Sequence, residues 1–494
     1  MVKNILVFLS LSYFILITSS SVFSQALEDS FKISGKVFID DNKNGIIEKG
    51  ERGVSKILIS NGVDIVSTDK KGNYTIDIRR GQSIFPILPA EYKLIKRLPS
   101  NVLNSQFYYI HPENNRMAKA SHSFPLEKQE VVDQFKVGAI GDIQVDNKDE
   151  ISYAAKSFFT EINNRHDLAF NIVLGDLVND KMELMKDMSN LLAVSKTPSW
   201  TLVGNHDRNV NNPDAMNDVF NSYFGADTYA FNYGNVHFIV LNNVFATGKR
   251  TYEGRISDQQ LQFVKNDLAH VEKSKTIVIS QHIPMMGTRN RNDLFQLLEG
   301  FDNVLFLSGH THVVSRHFYN NGQLHEIGAG AVCGTWWRGE KNSDEIPEAL
   351  MQCGSPRGYV VINFDKNGYK FDYKAVGFQQ EKQMNISVNK DTLVANVFLG
   401  SDSTTVSYQL NNDAWLDMKK VRMTDPNVLK IVENNKSKVY PTTGNTANPL
   451  RTRNSNHVWE GYLKNFQTNK PNVLRIKAVD KYGFDVIEEF VLFP

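Results

Sequence analysis

Five short polar motifs in the middle of the chain each follow an apolar run directly, and each carries side chains that can bind a metal ion or move a proton. The motifs are Gly141-Asp142-Ile143-Gln144, Gly175-Asp176, Gly204-Asn205-His206-Asp207, Gln281-His282 and Gly309-His310-Thr311-His312. Their carboxylate, amide and imidazole groups suit borderline divalent metal ions. One such motif alone is more often a turn or a core histidine than a ligand. Five of them in one segment predict a shared site for two metal ions.

The segments between these motifs predict the elements that bring them together. Apolar runs of strand length occur at residues 137–140, 170–174, 200–203, 276–280 and 304–307. Helices are predicted at 150–165, at 181–194 and from a capping-box start at Ser257. Two hairpins are predicted, at 229–241 and at 358–378 with a turn at Asn367-Gly368. The alternation predicts an α/β core with mixed sheets, in which the polar side chains meet beyond the carboxyl ends of the strands.

Both flanks of this core alternate apolar and polar residues with a period of two, which predicts β-sheets with one buried face. In the N-terminal flank, residues 68–74 resemble part of the small immunoglobulin-like modules of exported bacterial proteins. We predict four units, which are a signal peptide at 1–24, an immunoglobulin-like β domain at 28–128, the α/β domain at 133–380 and a β-rich domain at 385–494.

One loop of the N-terminal flank matches the calcium-loop pattern at every oxygen position, with Gly45 at the sharp turn. Its candidate Ca²⁺ ligands are Asp40, Asn42, Asn44, Ile46, Glu48 and Glu51. Strands rather than helices are predicted on both sides of it. An ordinary Asp- and Asn-rich turn is therefore an equal alternative to a bound Ca²⁺.

Composition and the N-terminus limit the function classes. The formal net charge is only +1, with 55 Lys+Arg against 54 Asp+Glu, which disfavours binding to a nucleic-acid backbone. A lysine, a short apolar run and small residues up to Ser24 are typical of a secretory signal, with an uncleaved anchor as the alternative. We expect an exported protein, in the periplasm, on the cell surface or secreted, with no transmembrane segment after signal removal. Export permits a disulfide between Cys333 and Cys353, whose pairing the sequence leaves open.

The five ordered motifs resemble those of the calcineurin-like metallophosphoesterases, over residues 135–378 or about half of the chain. With its β-rich flanks, the chain is similar to an exported bacterial branch of that superfamily. The resemblance implies a four-layer α/β/β/α sandwich of mixed sheets, flanked by two smaller β-sandwich domains. It also implies a hydrolase that cleaves a phosphoester with a hydroxide bridging two divalent transition metal ions, Mn, Fe or Zn. Phosphomonoesters are slightly favoured over phosphodiesters.

The resemblance also implies a role for each motif residue. Asp176 would bridge both ions, Asp142, Gln144 and His312 would hold the first, and Asn205, His282 and His310 would hold the second. His206 would hydrogen-bond the phosphate and assist the leaving oxygen, with Asp207 orienting it. Gln144 stands where many members have a histidine. Because an amide oxygen is a weaker and harder ligand than imidazole, the first ion is expected to bind less tightly or through water.

A further set of residues is predicted to contact the substrate, and it consists of Asp180, Trp336, Trp337, Arg338 and Arg357. Adjacent tryptophans on one strand face opposite sides, so at least one is expected to be exposed or to cover a ligand. They would form an aromatic platform beside an arginine, although packing between domains is an equal alternative. The expected substrate is a phosphorylated small molecule, sugar, nucleotide or lipid, whose identity the sequence leaves open, as it does the oligomeric state.

A non-catalytic cell-surface or carbohydrate-binding protein built on the same scaffold is the alternative function. The nearly intact ligand set, which departs from the family pattern only at Gln144, favours the enzyme.

Overall fold

The computed structural model describes residues 30–95, 106–111, 121–436 and 450–494. The predicted signal peptide at 1–24 lies outside these residues. Within the described ranges, no helix is long and apolar enough to cross a membrane.

The N-terminal flank forms a sandwich of two four-stranded sheets. Its strands are β1 (Ser30–Ile39), β2 (Leu58–Ser60), β3 (Ile65–Ser67), β4 (Asn73–Arg79), β5 (Ser83–Ile87), β6 (Tyr92–Leu94), β7 (Tyr108–Tyr109) and β8 (Phe124–Lys128). The sheet orders are β4-β1-β8-β6 and β3-β2-β5-β7. Alternation along β4 buries Tyr74, Ile76 and Ile78, which share one apolar cluster with Ile59 of β2 and Ile84 of β5. This shared core joins the two sheets.

The predicted calcium loop follows β1 directly and forms a network of turn hydrogen bonds. The Asp40 carboxylate accepts from the backbone N–H of Asn44 at 3.2 Å and of Gly45 at 2.6 Å. The Glu48 carboxylate accepts from the side-chain amides of Asn42 and Asn44 at 2.8 and 3.2 Å. Ile46 donates its N–H to Asn44, and Glu51 accepts from the N–H of Glu48. These bonds are those of the turn alternative, and a bound Ca²⁺ stays a prediction.

The central region contains two mixed sheets. Its strands are β9 (Phe135–Ile140), β10 (Leu168–Val173), β11 (Ser199–Thr201), β12 (Tyr229–Tyr233), β13 (Val236–Val240), β14 (Val244–Ala246), β15 (Tyr252–Gly254), β16 (Thr276–Ser280), β17 (Val304–Ser308), β18 (Val314–Tyr319), β19 (Leu324–Ala329), β20 (Gly358–Asp365) and β21 (Gly368–Ala375). The sheet orders are β11-β10-β9-β20-β21 and β12-β13-β16-β17-β19-β18, and β14 and β15 form a separate hairpin. Strands β9, β10 and β11 are parallel, as are β13, β16, β17 and β19. Parallel pairing places their carboxyl ends at one edge of each sheet.

Helices cover the outer face of each central sheet. They are α1 (Lys148–Ala154), α2 (Thr160–Ile162), α3 (Met185–Val194), α4 (Asp218–Phe224), α5 (Asp258–Leu268) and α6 (Arg291–Leu297), with a π-helical turn at Ala155–Phe159 and 3₁₀ turns at Met182–Leu184, Pro213–Ala215, Met285–Gly287 and Asn320–Gly322. Helices α1, α3 and α4 share a cluster with Ile140 and Val173 on one face of the first sheet. Phe170 and Ile172 face the other way, into the core shared with the second sheet and with α5 and α6. The layers are therefore α/β/β/α, which confirms the predicted fold class.

Two local predictions can be compared with the structure in detail. The capping box at Ser257 is confirmed, because its hydroxyl accepts from Gln260 N–H and the Gln260 side chain accepts from Ser257 N–H. The hairpin turn is displaced by one residue from its prediction. Asp365 pairs with Gly368, so the two turn residues are Lys366 and Asn367. Gly368 still supplies a positive φ of 129° as the second strand begins.

The C-terminal flank is a second β-sandwich. Its elements are β22 (Met384–Asn389), β23 (Thr392–Val397), β24 (Thr405–Leu410), β25 (Leu416–Asp417), β26 (Lys419–Met423), α7 (Pro426–Lys436), β27 (Ser455–Tyr462), β28 (Asn472–Val479) and β29 (Asp485–Leu492). The sheet orders are β22-β23-β27-β26 and β25-β24-β28-β29. The exact domain boundaries stay predictions.

A buried ion pair joins this sandwich to the central region. Arg316 of β18 donates to Asp480 at 2.6 Å, and both side chains are fully buried. Asp480 also accepts from Thr404 at 2.9 Å, and Arg316 donates to the Leu399 carbonyl at 3.2 Å. The guanidinium lies 4.7 Å from the ring centre of Phe371. Each charge is therefore fully satisfied by the pair and its neighbours.

We expect Asp480→Ala to lower the unfolding free energy by about 3–5 kcal/mol, because it leaves the Arg316 cation buried without a partner. Urea denaturation followed by circular dichroism measures this loss. Glu345→Ala is the matched control, since it removes only the exposed pair with Lys341, for which about 0–1 kcal/mol is expected. Equal losses in the two variants would contradict the anchoring role of Asp480.

Candidate metal centre

The five polar motifs meet at one edge of the two central sheets. Asp142 and Gln144 follow β9, Asp176 follows β10, Asn205 follows β11, His282 follows β16, and His310 and His312 follow β17. Polar contacts of 2.8 to 3.7 Å connect these seven residues, one of them through the His310 backbone N–H, and six of the side chains are buried, with His310 partly exposed. The convergence expected from strand ends is present for every predicted ligand.

Three side chains form the tighter half of the centre. The donor atoms of Asp176, His282 and His310 all lie within 4.8 Å of one another. The side-chain amide oxygen Oδ1 of Asn205 completes the group, at 3.0 Å from His282 Nε2 and 2.8 Å from His310 Nδ1. His282 Nδ1 donates to the Leu174 carbonyl at 2.8 Å, which turns Nε2 toward the other donors. Two imidazole nitrogens, a carboxylate and an amide oxygen around one point fit a divalent transition metal ion.

The other half of the centre contains Asp142, His312 and Gln144. His312 Nδ1 donates to the Gly334 carbonyl at 2.7 Å, so that Nε2 faces Asp142 at 3.7 Å. Asp142 is fully buried and accepts the His310 backbone N–H at 2.9 Å. Gln144 donates its amide N–H to Asp176 at 3.3 Å, so its oxygen points away from the centre. A half-turn of that amide would present the oxygen to an ion, and the donor set then fits a second metal.

Two of the three histidines of the centre, His310 and His312, are in the protonation state that suits metal binding, and His282 would release a proton when an ion binds. Burial lowers the pKa of both His310 and His312 to about 4, so both rings are neutral near pH 7. Neutral imidazole is the form that binds a metal ion. Burial also disfavours the His282 cation, but the Asp176 carboxylate outweighs it and raises the pKa of His282 to about 9. Burial raises the pKa of Asp142, while His282 outweighs burial and lowers that of Asp176.

Left-handed backbone conformations are concentrated in the loops of this centre. Non-glycine residues with positive φ include Gln144 (40°), Asp176 (50°), Asp180 (58°), His310 (69°) and His312 (52°). Such conformations cost about 1–3 kcal/mol each and persist where the surroundings enforce them. Gly204 permits the closest approach of two motifs, because a Cβ there would lie 2.1 Å from Asp176 Oδ1. These loops are held in conformations suited to the site rather than to the isolated chain.

His206 lies beside the centre with its ring partly exposed, and its partner is Asp180 rather than Asp207. His206 Nδ1 is 3.1 Å from Asp180 Oδ2, in a charge contact rather than a linear hydrogen bond. Burial opposes the imidazolium, but Asp180 and Asp176 raise the net pKa of His206. The predicted orientation of His206 by Asp207 is wrong. Asp207 is fully buried and accepts the backbone N–H groups of Leu177, Val178 and Gly204, which ties two motif loops together.

We expect Asp207→Ala to destabilise the protein, because three buried N–H groups lose their acceptor at about 1–3 kcal/mol each. Asp180→Ala should instead lower turnover with little change in stability, since the Asp180 side chain is 55% exposed. Thermal melting and turnover of both purified variants measure the two effects. A stable Asp207→Ala variant with an isolated loss of turnover would restore the role first predicted for Asp207.

The structure separates the predicted substrate contacts into two groups. Trp336 is partly exposed and its ring lies 4.6 Å from that of His312, with Arg338 packed 5.3 Å from the Trp336 ring centre. Asp180 lies next to the metal centre, because its carboxylate contacts the His206 ring. For Trp337 and Arg357, the prediction of substrate contact is wrong. Trp337 is 1% exposed and donates its indole N–H to the Ile143 carbonyl. Arg357 is buried beneath it, 5.4 Å from the Trp337 ring centre.

Two residues at the centre were not predicted. Arg208, which directly follows the Gly204–Asp207 motif, donates to the Asn205 carbonyl at 3.4 Å. Tyr252 of β15 lies over the Arg208 guanidinium at 5.2 Å, and its ring centre is 6.3 Å from that of His310. The position of Arg208 next to a motif could have identified it. Tyr252 lies in a hairpin 46 positions after His206 in the sequence, and the sequence contains no signal that places it there.

The two cysteines are both buried and unpaired. Cys333 Sγ lies 3.6 Å from His312 Nδ1, and Cys353 Sγ contacts the Ser355 hydroxyl at 3.7 Å. The structure therefore contains no disulfide between them.

The chain is similar to known protein families and to solved structures. Three family profiles match, described as N terminal of calcineurin-like phosphoesterase at residues 41–129, calcineurin-like phosphoesterase at residues 135–314, and C terminal of calcineurin-like phosphoesterase at residues 326–485. Among solved structures, the chain is similar to the purple acid phosphatase PPD1 isolated from yellow lupin (Lupinus luteus) seeds, at 12% identity and a TM-score of 0.33, over 74% of this chain and 66% of that chain. It therefore spans just under two thirds of the lupin chain. A second similar structure is the Clostridium perfringens spore cortex lytic enzyme SleM, at 10% identity and a TM-score of 0.16, over 74% of this chain and 100% of that chain. No curated protein sequence matches significantly.

Proposed function

Because the chain belongs to the calcineurin-like phosphoesterases, a family of metal-dependent hydrolases, we propose that it hydrolyses a phosphoester at a centre of two divalent metal ions. The observation that carries the proposal is the convergence of seven side chains of metal-ligand type from five motifs at the carboxyl ends of the central strands, and three of these side chains could hold one ion together. The substrate is a phosphorylated small molecule, sugar, nucleotide or lipid, with monoesters favoured over diesters.

Each residue of the centre has a defined task in this proposal. Asp142, Gln144, Asp176 and His312 would hold one ion, and Asp176, Asn205, His282 and His310 would hold the other. When bound, such ions lower the pKa of the water they share and neutralise charge on the phosphoryl oxygens. His206 Nε2 donates its N–H to the leaving oxygen, and Asp180 beside Nδ1 favours the protonated ring. No covalent nucleophile is needed.

The test is hydrolysis of a chromogenic phosphomonoester and of a bis-aryl phosphodiester with added Mn²⁺, Zn²⁺ or Fe²⁺. We expect turnover of at least one ester, a higher kcat/KM for the monoester, and loss of turnover after chelation. A protein that contains both metals and hydrolyses neither ester, nor any member of a panel of phosphorylated sugars, nucleotides and lipids, would favour the binding alternative.

We also propose that the protein is exported, on the basis of the signal-like residues 1–24. Expression of the full chain with a C-terminal tag tests this. The expected result is a product found outside the cytoplasm whose N-terminus, determined by mass spectrometry, begins after Ser24. A full-length cytoplasmic product would contradict export.

A further inference from the structure

Arg208 is a buried cation with no internal counter-ion. It is 3% exposed, and within the described part of the chain its guanidinium forms no salt bridge. Its hydrogen bonds are two long ones, from Nε to the backbone carbonyl of Asn205 at 3.4 Å and from Nη1 to the Met216 sulfur at 3.8 Å. A guanidinium has five N–H donors and stays protonated in proteins. Most of the binding capacity of Arg208 is therefore not used by the protein itself.

Burying a charge without a partner is costly, so such a group is normally paired. Arg316 follows this rule through Asp480. Asp180 and Asp176 are the carboxylates that act electrostatically on Arg208. Asp176 belongs to the metal centre, and Asp180 lies beside His206. Arg357 also lacks a carboxylate partner, but it donates to Ser157 at 2.9 Å and lies beneath Trp337, away from the centre. Arg338 also forms no ion pair with a described residue and packs on Trp336 beside His312, but it is partly exposed. Among the described arginines at the centre, Arg208 is the buried one.

Arg208 stands between the metal centre and a cavity. On one side are Asn205 and the ring of Tyr252, which itself packs beside His310. On the other side is a cavity of about 350 Å³ between the N-terminal sandwich and the central region, which Arg208 helps to line. Among the residues that line this cavity, Arg208 is the only cation and Asp227 the only carboxylate. Asp227 accepts from the side-chain amides of Asn217 and Asn242 at 2.7 and 3.2 Å, and the other polar lining residues carry amides and hydroxyls.

We infer that Arg208 binds an oxyanion of the substrate, with Tyr252 packed against the guanidinium to fix its plane. The inference rests on the proposed function. In it, Arg208 supplies positive charge to the substrate in addition to the charge of the metal ions. Planar guanidinium groups bind phosphate or carboxylate oxygens through paired N–H donors. The oxyanion belongs either to the phosphoryl group at the metal centre or to a second anionic group of the substrate seated in the cavity.

The test compares wild type with Arg208→Met and Arg208→Lys, all loaded with metal. The probes are inorganic phosphate, titrated by calorimetry, and two esters, a sugar monophosphate and the corresponding bisphosphate, assayed for KM and kcat. Arg255→Met is the matched control, because Arg255 directly follows the hairpin that carries Tyr252, stacks on Phe245 and has Asp258 at 4.0 Å. We expect Arg208→Met to weaken oxyanion binding about 10- to 100-fold, Arg208→Lys to recover part of it, and the control to change nothing.

The pattern of losses identifies the oxyanion. If it is the reacting phosphoryl group, phosphate and both esters lose affinity alike; if it is a second anionic group, only the bisphosphate does. The melting temperature of ligand-free Arg208→Met should be unchanged or higher, because an uncompensated buried charge is removed. Wild-type affinity for all three probes in Arg208→Met, or a lowered melting temperature without any recovery in Arg208→Lys, would overturn the inference. Absence of turnover in wild type would count against the proposed function, while the phosphate titration would still test Arg208.

Discussion

Asp176→Asn is expected to lose bound metal and phosphoesterase activity together, each by more than about 100-fold. Mutation of a residue that only supports a metal ligand typically costs up to about 100-fold in metal affinity or activity, and Asp176 itself is a candidate ligand. Asp176 is 2% exposed, and one carboxylate oxygen faces both Gln144 Nε2 and His282 Nε2 at 3.3 Å. The other oxygen accepts the His206 backbone N–H at 2.9 Å. Both oxygens thus lie where the two halves of the centre meet. Asparagine preserves the shape but removes the charge and turns one acceptor into a donor.

Elemental analysis of the purified variant and turnover of a chromogenic phosphomonoester measure the two losses. Asp187→Asn is the matched control, because it removes only the surface pair with Lys148 on the outer helices. Circular dichroism establishes that both variants are folded. An Asp176→Asn variant with full activity and two metals per chain would exclude the dinuclear assignment.

The positions of the candidate metal ligands could be predicted from the sequence because they follow from a simple rule. Buried parallel strands such as β10 and β16 appear as short apolar runs, and the residue after each run is carried to the same edge of its sheet. Because β10 and β16 belong to different sheets, parallel pairing carries Asp176 and His282 only to the edges of their own sheets, and the packing of the two sheets brings them together. The contact at 3.3 Å therefore depends on the face-to-face packing of the two sheets as well as on the alternation of strands and helices that the sequence indicates.

The partner of His206 could not be predicted in this way, because adjacency in sequence does not determine side-chain direction in a loop. Asp207 is the next residue, yet its carboxylate turns back to the backbone of Leu177 and Val178. Asp180 arrives from the loop after β10 and has a left-handed φ of 58°. No periodic pattern in the sequence specifies such a conformation. The two tryptophans illustrate the same limit, since both have positive φ rather than the strand conformation assumed for them.

Tyr252 shows a different limit, which is the assembly of a site from distant hairpins. It belongs to a two-stranded hairpin that no apolar periodicity distinguishes, and it reaches the centre only through its contacts with Arg208 and His310. Neither contact is encoded by a motif. Residues that select the substrate are therefore harder to predict than residues that hold the metals, because the latter must satisfy a fixed coordination chemistry and the former need only line a surface.

His206→Ala is expected to reduce turnover by about 10²- to 10⁴-fold, the usual contribution of general acid–base catalysis, while metal content stays at the wild-type level. The contact of His206 with the centre is made by its backbone N–H, which donates to Asp176 at 2.9 Å and is retained in alanine. Its ring instead lies beside Asp180 and is 31% exposed. Removing the ring should therefore affect the leaving group and not the ions.

Leaving-group dependence distinguishes this role from general damage to the site. An aryl phosphate releases a stable phenolate and needs little proton donation, whereas an alkyl phosphate releases a far more basic oxygen. The His206→Ala variant should consequently lose more turnover on the alkyl ester than on the aryl ester, and His166→Ala, at an exposed position, should lose none on either. Equal losses on the two esters, or loss of metal from His206→Ala, would show that the ring acts on the centre itself and not on the departing oxygen.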